Sequence, residues 1–180
     1  TFGEESTMTT TRAFRCEDMF KFNNINLDAL TETYNVSFYY HYLTSFPDYF
    51  KAEEHPNGRL MGYIMGKAEG DGELWHGHVT AVTVAPEFRR RRLATKLMAS
   101  LEATSEHAYN AYFVDLFVRV SNDLAIKLYE RLGYSVYRRV LGYYSGEEDA
   151  YDMRKALPRD VHRKSVVPLD RPITPDELEW

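Results

Sequence analysis

The stretch Val82-Thr83-Val84-Ala85-Pro86-Glu87-Phe88-Arg89-Arg90-Arg91-Arg92-Leu93-Ala94-Thr95 decides the fold. A β-branched run stops at Pro86, and a short connection ends in four consecutive arginines. A helical pattern starts at once, with Ala94, Leu97, Met98 and Leu101 on one face. A strand therefore feeds a basic loop, and the loop feeds a helix N-terminus. Such a terminus offers unpaired N–H groups and a partial positive charge. Arginines beside it add permanent charge and forked donors. The combination suits a phosphate or pyrophosphate, so residues 89–95 are expected to hold a phosphate-bearing cofactor. The competing reading is a solvated arginine run or one that meets an acidic partner. Neither a Gly-Lys-Ser/Thr P-loop ending nor a GxGxxG fingerprint is present.

Outward from this stretch, elements follow from periodicity and punctuation. Met8 to Phe14 reads as an edge strand, Glu17 to Asn26 as a helix, residues 27–34 as a loop, and Phe38 to Leu43 as a short aromatic helix closed by Pro47. Tyr49 to Glu53 and Arg59 to Lys67 read as a hairpin around His55-Pro56-Asn57-Gly58. His76 to Val84 is a strand and Ala94 to Glu106 a helix; Ala111 to Val120 is nearly all apolar, as a central strand would be. Asn122 to Leu132 is a helix with Leu124, Leu128 and Leu132 on one stripe and Gly133 as its stop. Ser135 to Leu141 and Ala150 to Arg154 are strands joined by the loop at residues 142–149. The order predicts a mixed α/β sheet with helices on both faces, and a crossover between parallel strands over residues 78–120.

At 180 residues, with 44% hydrophobic and 27% charged, the chain is expected to fold as one domain. The aromatic fraction, 14% with 14 Tyr, suggests a recognition surface. A net charge of -5 argues against general nucleic-acid coating. One cysteine, Cys16, excludes an internal disulfide and a Cys-based zinc site, and a reducing cytosol is the expected compartment. No apolar stretch approaches the length of a membrane span and no signal peptide is visible. Residues 1–7 are expected to be a remnant ahead of a natural start at Met8, or disordered.

At Arg89-Arg90-Arg91-Arg92-Leu93-Ala94 the chain resembles the GCN5-related N-acetyltransferases, whose pyrophosphate loop is Arg/Gln-x-x-Gly-x-Gly/Ala. The first and last positions match, while Arg92 replaces Gly. Gly lets the backbone approach phosphate oxygens closely, so Arg92 needs an allowed φ and an outward side chain. The family's Asn at the next helix start and Tyr seven residues on are matched by Asn122 and Tyr129. Beyond these, FNNINLDALTETY, MGYIMGKAEG, VDLFVRVSN and GYYS are similar to the catalytic subunits of N-terminal acetyltransferase B (NatB). The likeness covers about residues 8–157, leaving residues 158–180 as an extended arm. It implies a mostly antiparallel sheet of about seven strands and acetyl-CoA as cosubstrate, with no metal. Substrates would be nascent proteins beginning Met-Asp, Met-Glu, Met-Asn or Met-Gln. A large helical-repeat auxiliary subunit would complete a heterodimer and dock it at the ribosome, in the cytoplasm, without membrane or sequence-specific nucleic-acid contact.

The resemblance also implies roles. Backbone N–H groups at Val82 and Val84 would hold pantetheine and polarise the thioester; Arg89, Arg90, Arg91, Arg92, Leu93, Ala94 and Thr95 would hold the pyrophosphate. Tyr129 would protonate the leaving thiolate, or else packs its helix on the sheet. Asn122 caps its helix, binds cofactor and water, or does both. His76 and His78 share a strand face and, as a metal pair, lack a third ligand nearby in sequence. His78 and Thr80 would face the peptide, His78 as a ligand or part of a water relay; the alternative is a structural His. Leu27, Glu32 and Tyr34 would line the groove for the amine and the Met side chain, with Tyr143 and Tyr144 folding over the peptide from a loop. The other classes kept open are a lysine or small-amine acetyltransferase of the same fold and a non-catalytic binding module.

Overall fold

The computed structural model describes residues 9–27 and 31–178. The expected remnant at 1–7, its boundary at Met8, and residues 28–30 of the expected loop lie outside the described residues. Among the described residues seven strands occur: β1 (Thr10–Ala13), β2 (Lys51–Glu54), β3 (Leu60–Glu69), β4 (His76–Val84), β5 (Phe113–Arg119), β6 (Ser135–Tyr144) and β7 (Glu148–Ala156). The α-helices are α1 (Asn23–Asn26), α2 (Val36–Ser45), α3 (Leu93–His107) and α4 (Asp123–Arg131). The strands form one sheet in the order β1-β2-β3-β4-β5-β7-β6. β4 and β5 pair in parallel, while β1–β2, β2–β3, β5–β7 and β6–β7 are antiparallel. This is the mixed, mostly antiparallel sheet that the sequence implies.

The chain divides into two compact units, one up to Gly66 together with Ala81–Ser100, the other Lys67–Thr80 together with the chain from Leu101. In the first, Phe14, Phe22, Tyr39, Tyr42, Phe50 and Tyr63 are buried in one cluster. Phe14 stacks on Phe50 with centroids 4.0 Å apart, and Phe22 meets Tyr39 edge-on at 5.2 Å. Such pairs add about 0.5–1.5 kcal/mol beyond area burial. Tyr63 is fully buried because its hydroxyl donates to Asn26 Oδ1 at 2.9 Å. Burial, reinforced by Tyr39, pushes that phenol upward and keeps it a donor. Tyr39, Tyr42, Tyr49, Tyr63 and Tyr134 are buried, so these five of the 14 tyrosines belong to the core and not to the recognition surface that the aromatic content suggests. Gly62 has a packing reason: a Cβ there would lie 2.6 Å from the Thr83 carbonyl oxygen, so β3 and β4 approach too closely for a side chain.

The helix expected over 17–26 is broken into a 3₁₀ turn at Cys16–Phe20 and the one-turn α1. The cause is Asp18, whose carboxylate accepts from the Arg15 N–H at 2.8 Å and from both Arg12 guanidinium nitrogens at 2.6 and 2.8 Å. Burial works to raise this carboxyl, and the bonds to Arg12 and Arg15 outweigh it, holding it below the usual range. A buried, fully paired Asp fixes a tight turn that a continuing helix would break.

In the second unit Val140, Ala150, Ile173 and Leu178 form a cluster. Its interior charges are paired: Asp152 accepts from Arg138 at 2.8 Å and from Arg154 at 3.1 Å, and Arg154 lies over the Tyr137 ring at 3.6 Å. Residues 158–178 run beside β6, with Leu141 N–H donating to the Ile173 carbonyl at 2.8 Å and Leu169 N–H to Tyr137 at 2.8 Å. The last hairpin differs from expectation. Ser145 and Gly146 both take left-handed φ, 56° and 75°, which closes a tight turn. The strands therefore extend through most of the expected loop, and Tyr143 and Tyr144 stand in β6. On α4 the predicted stripe is not uniformly covered, since Leu124 is 74% exposed. No helix among the described residues is long and apolar enough to cross a membrane.

Candidate active site

The loop after β4 is built as the sequence suggests. Ala85 N–H donates to the Met61 carbonyl at 2.9 Å, and Phe88 is buried, so the chain is pinned just before the arginines. Arg89 Nε turns back to the Val84 carbonyl at 3.2 Å. Arg90 and Arg92 adopt left-handed φ of 63° and 60°. Alternating hands of this kind turn successive N–H groups toward one side, an anion-binding arrangement. Arg92 thus takes the conformation that Gly normally supplies, at a cost of about 1 kcal/mol, and its side chain is exposed. Lys96 N–H bonds the Arg92 carbonyl at 3.0 Å, which starts α3. The N–H groups of Leu93, Ala94 and Thr95 precede that bond and belong to the unpaired first turn. Leu93 is buried and anchors the turn; Ala94 and Thr95 are half-buried. Lys96 also reaches the buried Glu53 carboxylate at 2.9 Å, fixing the helix start to β2. The residues fit a pyrophosphate: N–H donors, a left-handed bend and four exposed arginines. Val82 and Val84 are half-buried on the last residues of β4.

In the first unit, Tyr34 is half-buried, stacks on Phe38 at 4.4 Å, and donates its backbone N–H to the Tyr39 hydroxyl at 3.3 Å. Glu32 is exposed. Leu27 is 85% exposed.

In the second unit, Asn122 Oδ1 accepts from the Ala125 N–H at 3.2 Å, making it the N-cap of α4. Tyr129 follows two turns later and packs edge-on to Tyr134 at 6.1 Å. Tyr129 is half-buried, and burial pushes its phenol up to about 12. A phenol so raised stays protonated at neutral pH and is a donor, not a base.

His78 is the centre of the other group in this unit. The ladder between β4 and β5 runs from His76↔Phe113 to Val79↔Leu116 and sets His78 beside Asp115. Asp115 Oδ1 accepts from His78 Nδ1 at 2.8 Å, and Asp115 Oδ2 lies 3.5 Å from His76 Nε2. His76 Nδ1 donates to the Leu74 carbonyl at 2.7 Å, and its ring stacks on Phe113 at 4.7 Å. Burial pushes Asp115 upward, but the charges of His76 and His78, the His78 hydrogen bond and Arg154 outweigh it and hold the carboxyl at about 2. The third ligand-type group that the sequence lacked is supplied by β3. Glu69, His76 and His78 bring one oxygen and two ring nitrogens within 4.8 Å of one another. Glu69 pairs with Lys67, and its buried Oε1 lies 3.8 Å from His76 Nε2 and 4.0 Å from His78 Nδ1. Two histidines and two carboxylates therefore form one interior network.

The same face carries an aromatic row. His78 meets Phe117 at 5.7 Å, Phe117 stacks on Tyr143 at 4.7 Å, and Tyr143 meets Tyr144 edge-on at 5.0 Å. Tyr144 donates to the Phe117 carbonyl at 3.2 Å, and Arg119 lies over its ring at 4.0 Å. Thr80 continues β4 two residues past His78, half-buried. The structure thus brings His78, Tyr143 and Tyr144 together through Phe117, which sequence reasoning missed along with Asp115 and Glu69. One signal for two of them was available: Asp115 is the lone acid in VDLFV, and Phe117 shares its face at i+2.

Comparison with known proteins agrees with this geometry. Residues 19–134 match the model of the acetyltransferase (GNAT) family. The N-terminal acetyltransferase B complex catalytic subunit NAA20 of Arabidopsis thaliana is 66% identical over 96% of this chain and 99% of its own. The N-alpha-acetyltransferase 20 of Dictyostelium discoideum is 62% identical over the same shares, 96% and 99%. Among solved structures, Chaetomium thermophilum Naa20 in complex with a bisubstrate analogue superimposes with a TM-score of 0.87 at 43% identity, covering 93% of this chain and 97% of that one. The NatB acetyltransferase complex bound to CoA and MES gives a TM-score of 0.77 at 48% identity, over 83% and 99%.

Proposed function

The chain belongs to the acetyltransferase (GNAT) family, and we propose that it transfers acetyl from acetyl-CoA to the α-amine of nascent proteins that begin Met-Asp, Met-Glu, Met-Asn or Met-Gln. The observation that carries this reading is the loop at residues 89–95 with its left-handed Arg90 and Arg92, in a chain 66% identical to a NatB catalytic subunit. The N–H groups of residues 90–95 take the pyrophosphate, and those of Val82 and Val84 take the pantetheine and thioester. The neutral amine attacks the thioester carbon, the new N–C bond forms and the C–S bond breaks; the proton lost from nitrogen passes to solvent, and the leaving thiolate accepts a hydrogen bond from the Tyr129 hydroxyl and takes up a proton to leave as the CoA thiol. A free α-amine titrates near about 7.7–8.0, so a useful fraction is neutral without a strong base. Much of the rate comes from holding two substrates in line. Asn122, already the α4 cap, serves cofactor or water through its amide N–H₂. The amine and Met side chain lie with Glu32, Tyr34 and Leu27. The second side chain lies with His78, Thr80, Tyr143 and Tyr144.

The specificity reading has a direct check. No Lys or Arg is among the proposed ligands, so His78→Ala weakens Met-Asp and Met-Asn peptides together, by about 1–3 kcal/mol for a lost buried hydrogen bond. Measured kcat/KM for both peptides decides it; a variant that keeps both removes His78 from the site. Discrimination across a panel of peptides differing at position two tests the function as a whole, and acetylation independent of that position would defeat it.

We also place the chain in a cytosolic two-subunit complex whose auxiliary subunit, a helical repeat, brings it to the ribosome. The N-terminal helices support this. Phe22, Tyr39 and Tyr42 are buried, whereas Phe20 is 84% and Val36 64% exposed. Large apolar side chains left in water beside an aromatic core suit a partner. Phe20→Glu with Val36→Glu releases the auxiliary subunit in co-purification and leaves the melting temperature of the isolated chain within a few degrees. Retained co-purification argues that the partner docks elsewhere.

A further inference from the structure

We propose that Asp115 is a positioning residue that fixes which face of His78 meets the peptide, and so lets one ring serve both an acidic side chain and its amide at position two. The proposal rests on the reading of His78 as a peptide ligand. Asp115 Oδ1 lies 2.8 Å from His78 Nδ1, and an ionised carboxylate only accepts, so Nδ1 carries the proton. The bond is buried, with Asp115 4% and His78 8% exposed. Nε2 is then the nitrogen left for substrate. With the ring neutral, Nε2 is a lone pair that accepts from the N–H₂ of Asn or Gln. With the ring protonated, Nε2–H donates to the carboxylate of Asp or Glu. Asp115 supplies the charge that the second state needs, and Arg154, its register partner on β7, helps to keep that carboxylate ionised. The other groups facing the ring are Glu69 at 4.0 Å from β3, paired with Lys67, and Phe117 from β5; His76 shares both carboxylates from β4 itself. Without Asp115 a neutral His is free to protonate either nitrogen.

Asp115→Asn separates the two states. Asn keeps the volume and an oxygen that accepts from Nδ1–H, but removes the charge. In the complex with the auxiliary subunit, the ratio of kcat/KM for Met-Asp over Met-Asn peptides falls roughly 10- to 100-fold, the range for a charge-assisted hydrogen bond. An unchanged ratio, with both peptides lost equally or neither, overturns the proposal and leaves Asp115 structural. The second measurement needs no variant: ¹⁵N NMR of the wild type reads His78 as protonated at Nδ1, and a neutral ring protonated at Nε2 overturns it. A wild type that acetylates neither peptide overturns the functional reading instead, while the NMR result still reports whether Asp115 holds the ring.

Discussion

Replacing Tyr129 with Phe lowers kcat by about 10²- to 10³-fold while the peptide KM stays within about twofold, as for a group that acts on the transition state. The magnitude follows from where the phenol sits. Burial pushes it up to about 12. A thiolate, whose conjugate acid titrates at about 8.5, is a weaker base than a phenolate raised in this way, so complete proton transfer from Tyr129 is uphill. Tyr129 therefore acts chiefly as a hydrogen-bond donor to the charge that develops on sulfur, with the proton passing as the product leaves. The pH dependence has a definite sign. A raised phenol remains protonated across pH 6–9, so the rate climbs as the substrate amine loses its proton near 7.7–8.0 and does not fall through Tyr129 below about pH 11. Tyr129→Phe keeps the climbing limb and loses height. Single-turnover rates against pH test both statements. A kcat that survives the substitution returns Tyr129 to packing against Tyr134.

Replacing Arg89 and Arg90 together with Ala raises the KM for acetyl-CoA by roughly 30- to 100-fold, with kcat at saturation little changed. Two charge-assisted contacts are worth about 1.5–3 kcal/mol each when desolvated. These side chains are exposed, so the sum is discounted to about 2–3 kcal/mol, and 1.4 kcal/mol is tenfold. Arg89 contributes twice, through its charge and through Nε on the Val84 carbonyl, which ties the loop to β4. Arg92→Gly is the contrasting variant. Gly takes φ near 60° without cost, so CoA affinity is kept and the melting temperature holds or rises. Calorimetry with CoA measures both, and an unchanged affinity in the double variant would sink the loop assignment.

Local structure in this chain was legible wherever it depends on residues close in sequence. The strand–Arg-loop–helix stretch, Asn122 at a helix start and Tyr129 seven residues on are sequence neighbours, and the loop and the helix cap folded as read. Asn122 caps α4 because Asn before a helical run satisfies an early N–H. The break at Asp18 was not legible, because its cause, Arg12, acts from β1 through a side chain.

The residues around His78 show why the rest was hidden. Sequence placed His76 and His78 on one face and stopped there, since strand periodicity says which residues share a face but not what lies opposite. The register His78↔Asp115 belongs to the pairing of β4 with β5, whose residues stand 37 positions apart. A slip of one residue would turn Asp115 to the other face. The same holds for Phe117 on Tyr143, and for Arg92, whose left-handed φ is imposed by the loop rather than chosen by its side chain. The sequence alone determined the order of the strands, the strand–loop–helix at the arginine run and the helix that carries Asn122 and Tyr129, because periodicity, caps and turn residues act over a few bonds. The tertiary structure decided which carboxylate holds His78, what stacks on Tyr143 and which tyrosines are core, because those are fixed by strand register and packing between distant segments.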